Sequence, residues 1–212
     1  MSTPLPEHPI DRLEDRLSRL PLRERKKLKT RRAIQDHALR LFAEQGYDET
    51  TVEQIADAAD ISPSTFFRYF PTKEDVVFTD EYDPVMAELL RDQPADLPPI
   101  EALRRMFGDI LPLMYEQDRE VVTTRMRLTA TVPALRARAF ESLRAGTHAV
   151  LSEITAERTG RAPDDPDVHA FTWAVLGMLQ AALYQWLNGA PPGDLPAMVD
   201  HNLEFLSRGC PL

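Results

Sequence analysis

Residues 61–75 read Ile-Ser-Pro-Ser-Thr-Phe-Phe-Arg-Tyr-Phe-Pro-Thr-Lys-Glu-Asp. Ser62 is a good N-cap, Pro63 suits the first helical position, and Pro71 cannot continue a helix, so the spacing predicts a short helix over 63–70. At roughly 100° per residue, Phe66 and Phe70 share one face of it. Ser64, Thr65 and Arg68 fall opposite, and Phe67 and Tyr69 occupy the flanks. A helix this short is not stable alone, so the two phenylalanines must be buried against neighbouring elements. That burial turns the polar face outward.

The neighbours are legible on the N-terminal side. Ile34, Ala38, Leu41 and Phe42 form one apolar stripe, predicting a helix from about Leu28 to Gln45 that Gly46 stops. Thr50 or Thr51 can cap the next helix, with Glu53 or Gln54 completing a capping box. Val52, Ile55, Ala56 and Ala59 then recur at helical spacing, and Asp60-Ile61 is a tight connection to Ser62. Three helices within about 45 residues make a small autonomous unit.

Charge is divided unevenly along the chain. The 212 residues carry 25 Lys+Arg against 34 Asp+Glu, a net −9. Residues 23–41 alone hold eight cations (Arg23, Arg25, Lys26, Lys27, Lys29, Arg31, Arg32 and Arg40) and two acids, a net +6 that leaves −15 for the rest. An acidic body repels a polyphosphate, while a short basic stretch attracts one locally. Small hydroxyls allow close approach to base edges, an arginine grips guanine bidentately, and aromatic flanks lie along the groove walls. The order of basic run, apolar stripe, capped helix, short turn and polar-faced helix therefore points to double-stranded DNA. The candidate contacts are Arg31, Thr50, Thr51, Ser62, Ser64, Thr65, Phe67, Arg68, Tyr69 and Lys73. Hydroxyl and helix N-terminal groups serve phosphates, and the basic run, expected to precede the first helix, follows the backbone or enters a minor groove.

Other classes fit poorly. An enzyme needs a nucleophile–base set, a carboxylate pair in a pocket or metal-ligand spacing. His8, His37, His148, His169 and His201 form no metal-binding cluster, and Asp165 with His169 reads as a helix-start pair. No cofactor is expected. Cys210 is the lone cysteine, so there is no internal disulfide framework. There is no apolar run of about 18 residues and no apolar signal core near the start, so a cytoplasmic protein is expected, without a membrane span. A helical scaffold binding protein through the three-helix unit would leave the hydroxyl–arginine face and the basic run without a role.

Residues 31–77, RRAIQDHALRLFAEQGYDETTVEQIADAADISPSTFFRYFPTKEDVV, resemble the DNA-binding domain of TetR-family transcriptional regulators. The matching motifs are LFAEQGY at the end of helix one, TTVEQIADAAD for helix two, and ISPSTFFRYFPTKED across the third helix. The resemblance implies phosphate contacts from Thr51 and Lys73, a major-groove face of Ser64, Thr65 and Arg68, and a backbone contact from Tyr69. Phe67 stands where the family usually has a tyrosine that hydrogen-bonds a phosphate, which a phenyl ring cannot do. The resemblance also implies an all-α fold, a helix-turn-helix homodimer on a palindromic operator, and a small-molecule effector in the C-terminal domain.

The remaining chain reads as helices. Residues 1–22 are read as an extension, disordered or a short amphipathic helix at Ile10–Leu20, 23–72 as the DNA-binding domain and 73–212 as the effector-binding and dimerisation domain. A helix begins near Thr72 or Lys73 and is divided at Asp83-Pro84. Others are expected over Ile100–Glu116 with a kink at Pro112, Arg119–Thr129, Pro133–Glu157, Pro166–Leu187 and Leu195–Leu206. Met86, Leu90, Met106, Phe107, Met114, Tyr115 and Met126 are the candidate lining of an adaptable apolar pocket, with Arg125 available to an anionic head group. By resemblance, the last two helices (about 166–187 and 195–206) form the dimer surface. Phe171, Val175, Met178, Ala182 and Trp186 recur on the first, and Leu195, Met198, Val199, Leu203, Phe205 and Leu206 on the second.

Overall fold

The computed structural model describes residues 22–78, 83–189 and 195–212, with side chains outside the description at 24, 83–85, 113–118 and 140. The expected segment Ile10–Leu20 therefore lies outside the described residues. Every regular element among the described residues is a helix. The chain divides into two compact units between Glu81 and Tyr82.

In the first unit, α1 spans Leu22–Gln45, α2 Val52–Ala58, α3 Pro63–Tyr69 and α4 Asp75–Phe78. Helix α1 starts six residues before the expected Leu28. Arginine and lysine are good helix formers, so the basic run is the first turns of the helix rather than an arm preceding it. The stripe of α1 is buried at Ile34, Ala38 and Phe42, and Gly46 ends the helix at φ +94°, a left-handed conformation glycine adopts at little cost. Phe66 and Phe70 have no exposed surface and lie 5.8 Å apart, ring centre to ring centre. Each contributes about 1.5–3 kcal/mol of burial.

The turn between α2 and α3 is built by Asp60 at φ +53°. Its N–H donates to the Asp57 carbonyl, and the Ile61 N–H donates to Ala56, the bond pair that closes a Schellman turn. On α4, Val76 and Val77 are buried, and the buried Gln35 amide donates to the Val76 carbonyl at 2.6 Å. Residues 73–78 thus belong with the first unit, and the domain boundary expected at 72/73 moves to 81/82. The physical reason is that the Val76 carbonyl and the Lys73 ammonium find their partners on α1 and on the 47–50 turn.

The second unit contains α5 (Asp83–Arg91), α6 (Pro99–Thr131) and α7 (Pro133–Leu143). A π-helical turn (Arg144–His148) leads into α8 (Ala149–Thr159), followed by α9 (Pro166–Leu187) and α10 (Leu195–Ser207). Asp165 caps α9 by accepting from the Asp167 N–H at 2.8 Å. Helices α9 and α10 pack together, and α10 also packs on α6. The Asn202 amide donates to the Met178 carbonyl, and Arg104 pairs with Asp200 at 2.9 Å. The expected two helices over 100–129 are a single 33-residue helix that continues through Pro112. A proline removes one rung and need not end a helix whose other turns are held by packing.

Candidate functional site

Helices α2 and α3 present the polar residues of the first unit. The capping alternatives resolve to Thr51 and Gln54. The Thr51 hydroxyl accepts from the Gln54 N–H at 3.2 Å, and the Gln54 side chain accepts from the Thr51 N–H at 2.9 Å. Thr50 is 1% exposed, so it is no surface contact. Its hydroxyl donates to the Gly46 carbonyl at 2.7 Å and accepts from the Gln45 amide at 3.1 Å. Thr50 therefore locks the α1–α2 turn, a role its neighbour's capping geometry leaves to it.

On α3, Ser62 accepts from the Thr65 N–H, and its hydroxyl lies 2.9 Å from both the Ser64 and Thr65 hydroxyls. Ser64 and Arg68 are exposed, Phe67 is 50% exposed, and Thr65 and Tyr69 are half-buried. Arg68 lies over the Tyr69 ring at 5.4 Å. Arg31 lies over Phe70 at 5.2 Å, which places one cation of α1 beside the C-terminal end of α3. The structure thus brings Arg31, Ser62, Ser64, Thr65, Phe67, Arg68 and Tyr69 together on or around one short helix. Lys73 is turned inward: its ammonium donates to the Tyr47 and Thr50 carbonyls at 2.8 and 2.9 Å and sits 4.1 Å from the Tyr47 ring centre. Lys73 ties α4 to the turn that leads into α2.

The second unit contains a cavity of about 480 Å³. Four expected residues line it: Met86, Leu90, Met106 and Phe107. The side chains of Met114 and Tyr115 lie outside the described residues. Arg125 and Met126 are not in the lining. Because 99–131 is one helix, Arg125 sits about 28 Å along the axis from Met106.

Sequence reading missed the wall supplied by the π-turn and α8, including Gly146, Thr147, Val150 and Ile154. An i→i+5 turn has no clear residue signature, although its appearance beside a cavity is a common functional association. The charged lining residues are Glu88, Arg91 and Glu153.

His148, at the end of the π-turn, is 5% exposed and packs on Trp173 at 4.4 Å. Burial, then the nearby His169 and Arg144, lowers its pKa from the ordinary histidine value, favouring a neutral core residue. No three His, Cys, Asp or Glu side chains converge as a metal-holding group among the described residues.

The dimer stripe also divides. Val175, Ala182, Leu195, Val199 and Leu203 are buried within the subunit, where α9 packs on α10 and α10 also packs on α6. Phe171, Met178, Trp186, Met198, Phe205 and Leu206 remain half-buried, and Tyr184 is 70% exposed. Helix α9 is apolar on nearly all sides, so a sequence stripe alone does not separate the inner face from the outer.

Comparison with known proteins agrees with this architecture. Residues 34–78 match the family described as bacterial regulatory proteins, tetR family, and residues 97–211 match the MftR C-terminal domain of that group. The chain belongs to the TetR family, whose members are DNA-binding transcriptional regulators, act as dimers and bind small-molecule effectors. It is a transcriptional regulator rather than an enzyme.

It is 37% identical over 153 residues to the HTH-type transcriptional regulator TcmR of Streptomyces glaucescens, a match covering 68% of this chain and 66% of that protein. It is 24% identical over 181 residues to the fatty acid metabolism regulator protein of Bacillus subtilis, covering 83% and 93%. Among solved structures, Thermus thermophilus FadR, a TetR-family repressor in complex with lauroyl-CoA, is 27% identical with a TM-score of 0.56, covering 86% and 95%. No described helix is long and apolar enough to cross a membrane.

Proposed function

We propose that the protein is a homodimeric, ligand-responsive repressor that reads a palindromic operator with α2 and α3 and answers to an apolar or amphipathic effector. The observation that carries the DNA reading is the outward face of α3: Ser64, Phe67 and Arg68 are exposed, and Phe66 and Phe70 are fully buried beneath them. Arg68 is the base-reading side chain, with Ser64 and Thr65 at the base edges. Thr51, Ser62, Tyr69 and Arg31 serve the phosphate backbone. Phe67 contributes apolar contact. One such unit covers few base pairs, so two half-sites about one or more helical turns apart supply the affinity.

Dimerisation is assigned to the half-buried apolar residues of α9 and α10. The effector reading is supported by the apolar walls of the 480 Å³ cavity, whose volume suits a small molecule. The lauroyl-CoA held by the Thermus relative is amphipathic in the same sense. Linkage makes the coupling reciprocal: an effector that lowers operator affinity is itself bound less tightly by the DNA complex, by the same factor.

The test is selection of bound duplexes from a random pool with the purified protein. A palindrome is expected. Enrichment of a non-palindromic site, or none at all, would overturn the proposal.

A further inference from the structure

His148 stands between two cavities of the second unit. It ends the π-turn, whose Gly146 and Thr147 wall the 480 Å³ cavity. Its own ring lines a second cavity of about 380 Å³, with Ser152, Asp164, His169 and Trp173. The ring is 5% exposed, 4.4 Å from the Trp173 ring at 30° to it, and 5.1 Å from the His169 ring. Its Nε2 is buried and has no hydrogen-bond partner among the described residues. A π-turn is a rare geometry, so what packs on it decides whether it persists. Here His148 ties the turn to α9 through Trp173.

A neutral imidazole suits this setting and an imidazolium does not. Protonation adds a charge to a buried ring and makes both nitrogens donors, one of them without an acceptor. The surrounding groups do not offset this. On the turn itself stands Arg144, a cation whose partner is Glu141 of α7 at 2.7 Å. From α9 comes His169, exposed and itself able to take a proton. From α8, the Ser152 hydroxyl donates to Thr172 at 3.3 Å. Asp164, ahead of α9, is the carboxylate of this cavity; it is exposed and does not bond Nε2. The Trp173 face attracts a cation, but burial outweighs it. Desolvation first, then His169 and Arg144, hold the imidazole below the ordinary histidine range.

On the reading of the larger cavity as the effector site, we propose that His148 is a proton-operated latch on its wall. Neutral, the ring holds the π-turn against Trp173 and keeps Gly146 and Thr147 in place. Protonated, it leaves that contact for water, the turn loosens, and the effector is bound less tightly. The packed arrangement takes up a proton less readily than the loosened one. Its advantage is therefore complete above about pH 6.5 and is lost as the pH falls below that value.

The experiment uses the full chain and reads tryptophan emission, and decanol binding by calorimetry, between about pH 7.5 and about pH 5. An imidazolium quenches an indole it touches, so emission should fall along one titration with its midpoint below about 6.5. The fall should vanish in Trp173→Phe, which leaves Trp186 emitting, and in His148→Phe and His148→Gln, and it should survive His169→Gln. Over the same range decanol affinity should drop at least about threefold in the parent and hold constant in the His148 variants, each first checked for native melting. Should neither His148 variant fold, the parent's quenching against that of Trp173→Phe and His169→Gln still decides. Emission that titrates without His148, or stops titrating without His169, overturns the assignment of the proton. Quenching with unchanged decanol affinity overturns the latch and leaves the titrating ring. Decanol that does not saturate at neutral pH, or binds as well to Met106→Trp, overturns the effector-site reading instead.

Discussion

At the scale of single residues, Arg68 and Lys73 show how two cations five positions apart in the sequence divide once packing is known. Arg68 stands on an exposed face with the Tyr69 ring beside it. Arg68→Ala should leave stability within about 0.5 kcal/mol of the parent. It should weaken operator binding by about 1–3 kcal/mol and relax preference at one base position, read by fluorescence anisotropy on single-base variants. Unchanged affinity and unchanged preference would remove Arg68 from the groove.

Lys73→Ala behaves differently because its ammonium holds the Tyr47 and Thr50 carbonyls. It should lower stability by about 1–2 kcal/mol in urea unfolding, since hydrogen bonds from a charged donor are worth more than neutral ones. Its effect on DNA should be similar for every sequence. The outward face of α3 was legible from the spacing of two phenylalanines, Ser62 and Pro63. Lys73 was not, because nothing in a linear string reveals which carbonyls a long side chain reaches 23 and 26 residues upstream.

At the scale of elements, the first unit was readable because each helix carries its own start and stop: Thr51 with Gln54, Ser62 with Pro63, and Gly46 at positive φ. The second unit was less so. Pro112 is expected to kink a helix that ends at Glu116, yet α6 carries the proline inside one helix and runs on through 117–118 to Thr131. The proline offers no N–H to the Gly108 carbonyl one turn earlier, and Gly108 itself is a weak helix former. Restoring that rung with Pro112→Ala should stabilise the protein by about 1–3 kcal/mol, measured as a rise in the midpoint of thermal or urea unfolding. A fall would mean that the proline relieves a clash its neighbours impose. The π-turn at Arg144–His148 was equally invisible, and it supplies Gly146 and Thr147 to the cavity wall. The approximate place of the cavity was legible from Met86, Leu90, Met106 and Phe107, whereas its far wall depended on a backbone irregularity that no residue type announces.

At the scale of the whole molecule, the half-buried apolar residues of α9 and α10 and the 70% exposed Tyr184 leave an apolar surface that water covers only at a cost. Tyr184→Glu with Met178→Glu should convert the expected dimer to a monomer at micromolar concentration by sedimentation, and should weaken operator binding by well over tenfold, since half-sites then bind singly. A parent protein that already sediments as a monomer would refute the assignment.

The helical state of the basic run has a further consequence, for the length of DNA the molecule covers. Residues 23–32 rise about 14 Å as a helix, against about 30 Å as an extended tail. The cations are therefore a short, stiff comb rather than a wandering tether. Nuclease protection should stop about five base pairs nearer the centre of each half-site than a flexible tail would allow, with a sharp edge instead of a graded one.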